Sequence, residues 1–269
     1  MILQSPFNYT GSKSNLIPQL KRYFPSDCSV VYDLFCGGGG FFVNAMDSFP
    51  KATIIANDII KPLMSFYNWL SKTDFEEIKH TLNDNNIPKD NEELYYKLRD
   101  KFNHSQDKID FFILTCACTN NMMRFNKKLK FNQTYGKRHY NINTEARLKA
   151  YHEKIYNNHQ LDFVNDNFNK LYIPQDAFVY LDPPYLITEA GYNAYWSKEL
   201  EEKLYDYIDE LNKKHIKFML SNVTKHKDKI NPYLNRIQKY NVIKVDYDYY
   251  KVSRNKHVNN TEEVIVMNY

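Results

Sequence analysis

Asp182-Pro183-Pro184-Tyr185 follow a short apolar run, residues 178–181, that reads as a buried strand. In an open α/β sheet ligands bind beyond the carboxyl ends of the strands. Consecutive prolines lack N–H donors and fix φ, so they end the strand and keep the next loop stiff. The Asp182 carboxylate and the Pro183 carbonyl are left without sheet partners, with the flat ring of Tyr185 beside them. Such a set suits a planar group carrying an amine: acceptors for its N–H bonds and a ring for its π-face.

A second constellation is Asp33-Leu34-Phe35-Cys36-Gly37-Gly38-Gly39-Gly40, which follows a strand expected over 30–35 and opens a helix. Its glycines let backbone approach a ligand closely, although a tight packing turn would use them equally well. Asp58 stands at the tip of the next expected strand, 52–56, where a carboxylate can accept both hydroxyls of a ribose. Together they describe a nucleoside-containing cofactor across the strand tips. A dinucleotide would set its pyrophosphate on the helix N-terminus. S-adenosylmethionine instead carries an ammonium and a carboxylate. Asp33 repels the first and welcomes the second, which favours S-adenosylmethionine. Asn8-Tyr9-Thr10-Gly11-Ser12-Lys13 lacks the spaced first glycine and the preceding strand of a P-loop, which argues against nucleotide hydrolysis. Lys13 is a candidate for the cofactor carboxylate with Tyr9 covering it, or a solvent lysine beside a helix that starts near Ser14.

The elements that must position these residues alternate β-α-β-α at both ends of the 269-residue chain, the order of a parallel sheet. Further strands are expected at 161–164, 178–181 and 216–220, with a helix over 199–213. The last pair, 242–247 and 263–267, reads as an antiparallel hairpin joined by a basic loop. Between 74 and 158 the strand signals stop. Helices are expected at 75–82, 94–102 and 109–118, and a loop or hairpin over 120–140. The fold class is therefore α/β, a mostly parallel Rossmann-like sheet with a terminal antiparallel hairpin and a helical insertion. Residues 1–73 and 159–269 form the catalytic domain and 74–158 the inserted recognition part.

Net charge is +4, and the basic excess gathers at 127–138 and 251–256. That distribution fits a nucleic-acid partner better than an acidic small substrate, with a merely solvated surface as the equal alternative. Hydrophobic residues at 43% and charged residues at 25% support a folded core rather than disorder. Cys28, Cys36, Cys116 and Cys118 have no paired metal-ligand spacing and read as reduced core residues. The first residues lack a signal-peptide pattern and no long apolar run follows, so a soluble cytoplasmic protein with no membrane partner is expected.

Taken in order, these motifs resemble the Dam-type DNA adenine-N6 methyltransferases. Residues 9–13 are similar to the amino-terminal cofactor motif, with Tyr at 9 where Dam itself carries Trp. Asp33 to Gly39 resembles the D-x-F-x-G-x-G loop, Asp58 the ribose acid, and Asp182 to Tyr185 the catalytic motif. Asn121-Met122-Met123-Arg124-Phe125-Asn126 and the segment 130–137 resemble the DNA-reading part. The resemblance implies S-adenosylmethionine as cofactor, S-adenosylhomocysteine as product and no metal. It implies cofactor contacts at Tyr9, Lys13, Asp33, Phe35, Gly37, Gly39, Asp58 and Asp182, with Asp166 and Phe168 added by position at the cofactor adenine. Asp182, Pro183 and Tyr185 are the implied catalytic set, acting on an adenine flipped out of duplex DNA.

Arg124 is the candidate for sequence reading, with Asn126, Asn132 and Gln133 for base edges and Tyr135 as an interleaved aromatic. Lys127, Lys128, Lys130, Lys137 and Arg138 are candidates for the phosphate backbone, and Arg254 for a loop that orders on DNA. GATC is one candidate site, and a separate cognate restriction endonuclease is a possible partner. Other readings of the same loop are amino methylation of cytosine N4, RNA or a protein glutamine, and a catalytically silent DNA-binding module of this fold. An NAD-dependent oxidoreductase is the least favoured.

Overall fold

Runs of β-branched and aromatic residues build the parallel part of the sheet: β1 (Val30–Asp33), β2 (Thr53–Asn57), β3 (Leu161–Val164) and β4 (Ala177–Leu181). The computed structural model describes residues 2–7, 13–188, 196–245 and 261–269. Within them β5 (Lys217–His226), β6 (Lys229–Ile230), β7 (Asn241–Lys244) and β8 (Thr261–Met267) complete an eight-stranded sheet. Its order is β3-β2-β1-β4-β5-β8-β7, with β6 paired to the end of β5. Strands β3 to β5 run parallel in that order, and β8 lies antiparallel between β5 and β7. The expected antiparallel pairing of the last two strands is thus present, and β8 also closes onto the parallel sheet. The basic connection between them lies outside the described residues.

The nine α-helices of the described residues are α1 (Ile17–Leu20), α2 (Gly40–Ala45), α3 (Lys61–Leu70), α4 (Phe75–Asp84), α5 (Glu92–Ser105), α6 (Lys108–Ala117), α7 (Ile142–Ile155), α8 (Lys198–Lys213) and α9 (Leu234–Ile237). Several begin on side-chain caps: Asp74, Asn91, Asp107, Asn141 and Ser197 each accept backbone N–H groups of the first turn. Helix α7 has no counterpart in the sequence reading. Its signals are the Asn141 cap and the spacing of buried Thr144, Leu148, Tyr151 and Ile155.

β4 is buried along its whole length, and its side chains alternate between two cores. Phe178 and Tyr180 join the core of one face, Val179 and Leu181 that of the other. The first face carries α2 and α3 together with the middle segment: Phe66 stacks on Phe112 of α6 with centroids 4.5 Å apart, and Tyr151 of α7 is fully buried there. Helix α8 packs on the second face. The middle segment therefore shares one continuous core with the sheet. Beyond α6 the chain forms a hairpin held by the pairs Cys118 with Tyr135 and Phe125 with Phe131. All four cysteines are free thiols, and among the described residues no helix is long and apolar enough to cross a membrane.

Candidate active site

β4 delivers Asp182 to the carboxyl edge of the sheet, where Pro183 and Pro184 stop the ladder. Three groups from distant parts of the chain close on it. The Lys13 ammonium lies 3.2 Å from Asp182 Oδ1 and 3.0 Å from Glu263 Oε1. The Tyr185 hydroxyl sits 3.1 Å from the same Asp182 oxygen and 2.7 Å from Glu263 Oε1. Lys13 also lies over the Tyr185 ring, 4.8 Å from its centroid. Burial, partly offset by Lys13 and reinforced by the Glu263 charge, pushes the Asp182 carboxyl up to about 6. Burial works against the Lys13 charge, but Asp182 and Glu263 outweigh it and hold the ammonium well above the usual lysine value. Glu263 was absent from the sequence-level site. It is one of two adjacent acids at the start of an apolar strand; Glu262 turns outward to Lys244 at 3.0 Å, so strand alternation forces Glu263 inward.

The glycine loop follows β1. Asp33 is 1% exposed; its Oδ2 accepts the Phe42 backbone N–H at 3.2 Å, while Oδ1 is buried with no hydrogen-bond partner. Burial first, then the Asp182 charge, holds this carboxyl well above the usual range. Asp58 accepts the Gly37 N–H on Oδ2 and the Ile60 N–H on Oδ1, both at 3.0 Å. Those bonds pull its pKa down, and burial outweighs them. Gly37 and Gly39 both have positive φ, 44° and 75°. The Gly37 carbonyl accepts the Tyr67 hydroxyl at 3.0 Å and the Gly39 carbonyl the Tyr151 hydroxyl at 3.1 Å.

Beside Asp58, at the tip of β3, Asp166 is joined to the β2 tip: its N–H donates to Asn57 Oδ1 at 3.0 Å and its carbonyl accepts the Asn57 amide at 3.1 Å. Phe168 is 6% exposed and packs with Phe35, Trp196 and Tyr207 at centroid distances of 5.1, 6.1 and 5.6 Å. Trp196, also missed in the sequence, is fixed by its indole N–H donating to buried Glu201 at 2.6 Å. Tyr9 lies outside the described residues.

The hairpin and the residues that follow it carry the cationic candidates, with Lys127, Lys128 and Lys130 at its tip. Arg124, Lys127, Lys128, Lys130, Lys137 and Arg138 are exposed. Asn126 Oδ1 accepts the N–H groups of Lys128 and Lys130 at 2.9 and 3.1 Å, so it builds the turn. Lys130 reaches the Asn103 carbonyl, and Arg138 donates to Asn121 at 2.6 Å. Gln133 is turned inward, 6% exposed, its amide donating to the Thr119 carbonyl at 3.0 Å. Asn132 is half-buried with an unpartnered Oδ1, and the Tyr135 hydroxyl donates to the Lys89 carbonyl. Arg254 lies outside the described residues.

A parallel sheet with one antiparallel strand inserted beside β5, an acid at the end of β1 with a glycine loop after it and an acid after β2 define a Rossmann-like α/β fold. The family model for the D12 class N6 adenine-specific DNA methyltransferases matches residues 9–263, and the chain belongs to that family. It is 32% identical over 284 residues to the Type II methyltransferase M.FokI of Planomicrobium okeanokoites, a match covering 99% of this chain and 43% of that protein. It is 29% identical over 287 residues to the modification methylase StsI of Streptococcus sanguinis, with the same coverage of 99% and 43%. The DNA adenine methylase of Escherichia coli (strain K12) is 29% identical over 226 residues, which are 80% of this chain and 78% of that one. The chain thus spans less than half the length of the first two relatives.

Proposed function

We propose that this chain transfers a methyl group from S-adenosylmethionine to the N6 amine of an adenine flipped out of duplex DNA. The observation that carries the reading is the arrangement of Asp182. Its Oδ1 is engaged by Lys13 and Tyr185, whereas Oδ2 takes no hydrogen bond from the described residues. That oxygen and the Pro183 carbonyl are the acceptors for the two N–H bonds of the amine.

An exocyclic adenine amine is a poor nucleophile because its lone pair is conjugated into the ring. Accepting both N–H bonds favours pyramidalisation and directs the lone pair out of the ring plane. Bound S-adenosylmethionine supplies an electrophilic methyl on a sulfonium. As the N–C bond forms the C–S bond breaks, and the nitrogen, now acidic, loses its proton late, to Asp182 or to water. Asp182 need not be a strong base. Positioning carries much of the rate, since well-oriented reactants gain up to about 7–11 kcal/mol. Tyr185, with its hydroxyl held by Glu263 and Asp182, offers the ring face opposite Lys13 to the base, a contact of about 1–3 kcal/mol. That offsets part of the few kcal/mol of flipping.

The chain's residues fit the cofactor. The orphaned, buried Oδ1 of Asp33 suits its ammonium, and Asp58 keeps a second lone pair on each oxygen for the ribose hydroxyls. Lys13 uses two of its three N–H groups on Asp182 and Glu263, leaving one for the cofactor carboxylate. Asp166 serves the adenine edge, with Phe35, Phe168 and Trp196 as the apolar wall behind it. The exposed hairpin cations favour duplex DNA over a protein or small-molecule amine: Arg124 reads a base, and Lys127, Lys128, Lys130, Lys137 and Arg138 hold phosphates. The names of the M.FokI and StsI relatives motivate a role in DNA modification beside a separate restriction endonuclease. Labelled-methyl transfer to duplex oligonucleotides tests the reading. Asp182→Ala is expected to abolish transfer and keep cofactor binding within about threefold, whereas full activity of that variant would exclude the mechanism.

A further inference from the structure

We propose that Glu263 is the positioning residue of the transfer site: from β8 it holds the Lys13 ammonium and the Tyr185 hydroxyl, so that both lean on one edge of Asp182 and leave the other to the amine. This rests on the methyltransferase reading above and adds a residue to it.

The distances order the contacts. Both donors stand nearer Glu263 than Asp182: Lys13 at 3.0 against 3.2 Å, Tyr185 at 2.7 against 3.1 Å. A phenol has one proton, so the shorter contact is the stronger claim on it. Glu263 is 3% exposed and its backbone is fixed in the ladder, opposite Val223 of β5 and accepting the Val245 N–H at 2.9 Å. A buried carboxylate so placed is held only by partners that balance it, and two of its partners are groups that also touch Asp182. Without Glu263, Lys13 and Tyr185 would lean further onto Asp182 and draw down its capacity to accept the substrate N–H.

Among the described residues the groups facing Asp182 are Lys13 from the 3-10 turn Lys13–Leu16, Asp33 from β1, Tyr180 from β4, Tyr185 from its own loop, and Glu263. Burial raises the Asp182 carboxyl most; of the neighbouring charges, the Lys13 cation lowers it and the Glu263 anion raises it. Removing the Glu263 charge therefore works in one direction: Asp182 titrates lower.

The test uses the full chain and the variants Glu263→Gln and Glu263→Asp. Carboxyl carbon NMR follows the Asp182 titration without substrate, its resonance assigned by Asp182→Asn, and single-turnover methyl transfer to duplex DNA is measured across pH. Glu263→Gln is expected to slow transfer at least tenfold, leave cofactor affinity within about threefold, and move both the Asp182 midpoint and the acid limb of the rate profile to lower pH. Glu263→Asp is expected to return the midpoint and limb toward wild type. An unmoved Asp182 midpoint in folded Glu263→Gln would overturn the proposal whatever happens to DNA. So would slowed transfer with an unmoved acid limb. Wild-type protein that shows the midpoint behaviour but methylates no nucleic acid would overturn the methyltransferase reading instead, and would leave the Glu263 contact standing.

Discussion

The Tyr151 hydroxyl donates to the Gly39 carbonyl at 3.1 Å, tying the last helix of the middle segment to the loop that follows β1. A side chain at Gly39 has nowhere to go. Its Cβ would fall within the envelope of the Tyr151 hydroxyl and 2.8 Å from the Tyr67 hydroxyl, at a φ of +75°. A glycine whose type suggested close approach to a cofactor is required first by protein packing, and the segment presenting the hairpin is coupled to the glycine loop through it.

Gly39→Ala is accordingly expected to cost about 2–4 kcal/mol, from overpacking together with left-handed strain, read as a lowered urea midpoint at unchanged slope. Adding Tyr151→Phe removes the worst clash and should recover part of the loss. A Gly39→Ala protein as stable as wild type would refute this packing account.

The Asp182 carboxyl, raised from 3.8 to about 6, sets two pH dependences. In the proposed mechanism transfer needs the carboxylate, so the single-turnover rate should fall as pH drops through about 6. For stability the sign is opposite. The folded state holds this proton more tightly than the unfolded chain, so the group favours folding below 3.8 and that contribution is lost as pH rises through about 6. Asp182→Asn should therefore be more stable than wild type at neutral pH, by on the order of 2–3 kcal/mol at most. The gain should fade toward about pH 4. Denaturant unfolding at both pH values checks it, and a destabilised Asn variant at neutral pH would contradict it.

On the proposed reading, lysines at the hairpin tip hold phosphates and Arg124 reads a base. Lys127→Gln with Lys128→Gln should weaken duplex binding evenly across sequences and reduce the slope of log affinity against log salt by roughly 2. Arg124→Ala should relax preference at one position, at about 1–3 kcal/mol. Binding titrations over salt and over a panel of duplexes distinguish them, and a Lys pair that changed sequence preference would reverse the assignment.

Trp196 should matter to the cofactor rather than to DNA. It packs on Phe35 and Phe168 and is fixed by Glu201. Trp196→Ala is expected to weaken S-adenosylmethionine binding by tenfold or more in calorimetry while leaving duplex affinity within about threefold. Unchanged cofactor affinity would remove Trp196 from that wall.

The strand tips were legible because buried parallel strands are short apolar runs and the candidate acids end or directly follow them in sequence, as Asp33, Asp58 and Asp182 do. Glu263 was not, because which of two adjacent acids faces inward depends on register with β5, a long-range pairing. Trp196 and Glu201 were hidden for the same reason: their meaning comes from meeting Phe35 and Phe168 across the second core. In the hairpin, residue type signalled polarity but not direction. Gln133 turned inward and Asn126 became a turn acceptor, whereas the lysines stayed exposed because a buried ammonium needs a partner such as Glu263. Helix α7 escaped notice because its exposed face is polar and its apolar spacing is sparse.

The central claim is methylation of adenine N6 with Asp182 as the acceptor. Base-resolved methylation sequencing of DNA from cells lacking other adenine methyltransferases and expressing this chain tests it most directly. The expected result is N6-methyladenine at one fixed sequence motif, absent when Asp182→Ala is expressed at equal level. Methylation on cytosine, or adenine methylation that persists with Asp182→Ala, would contradict the account.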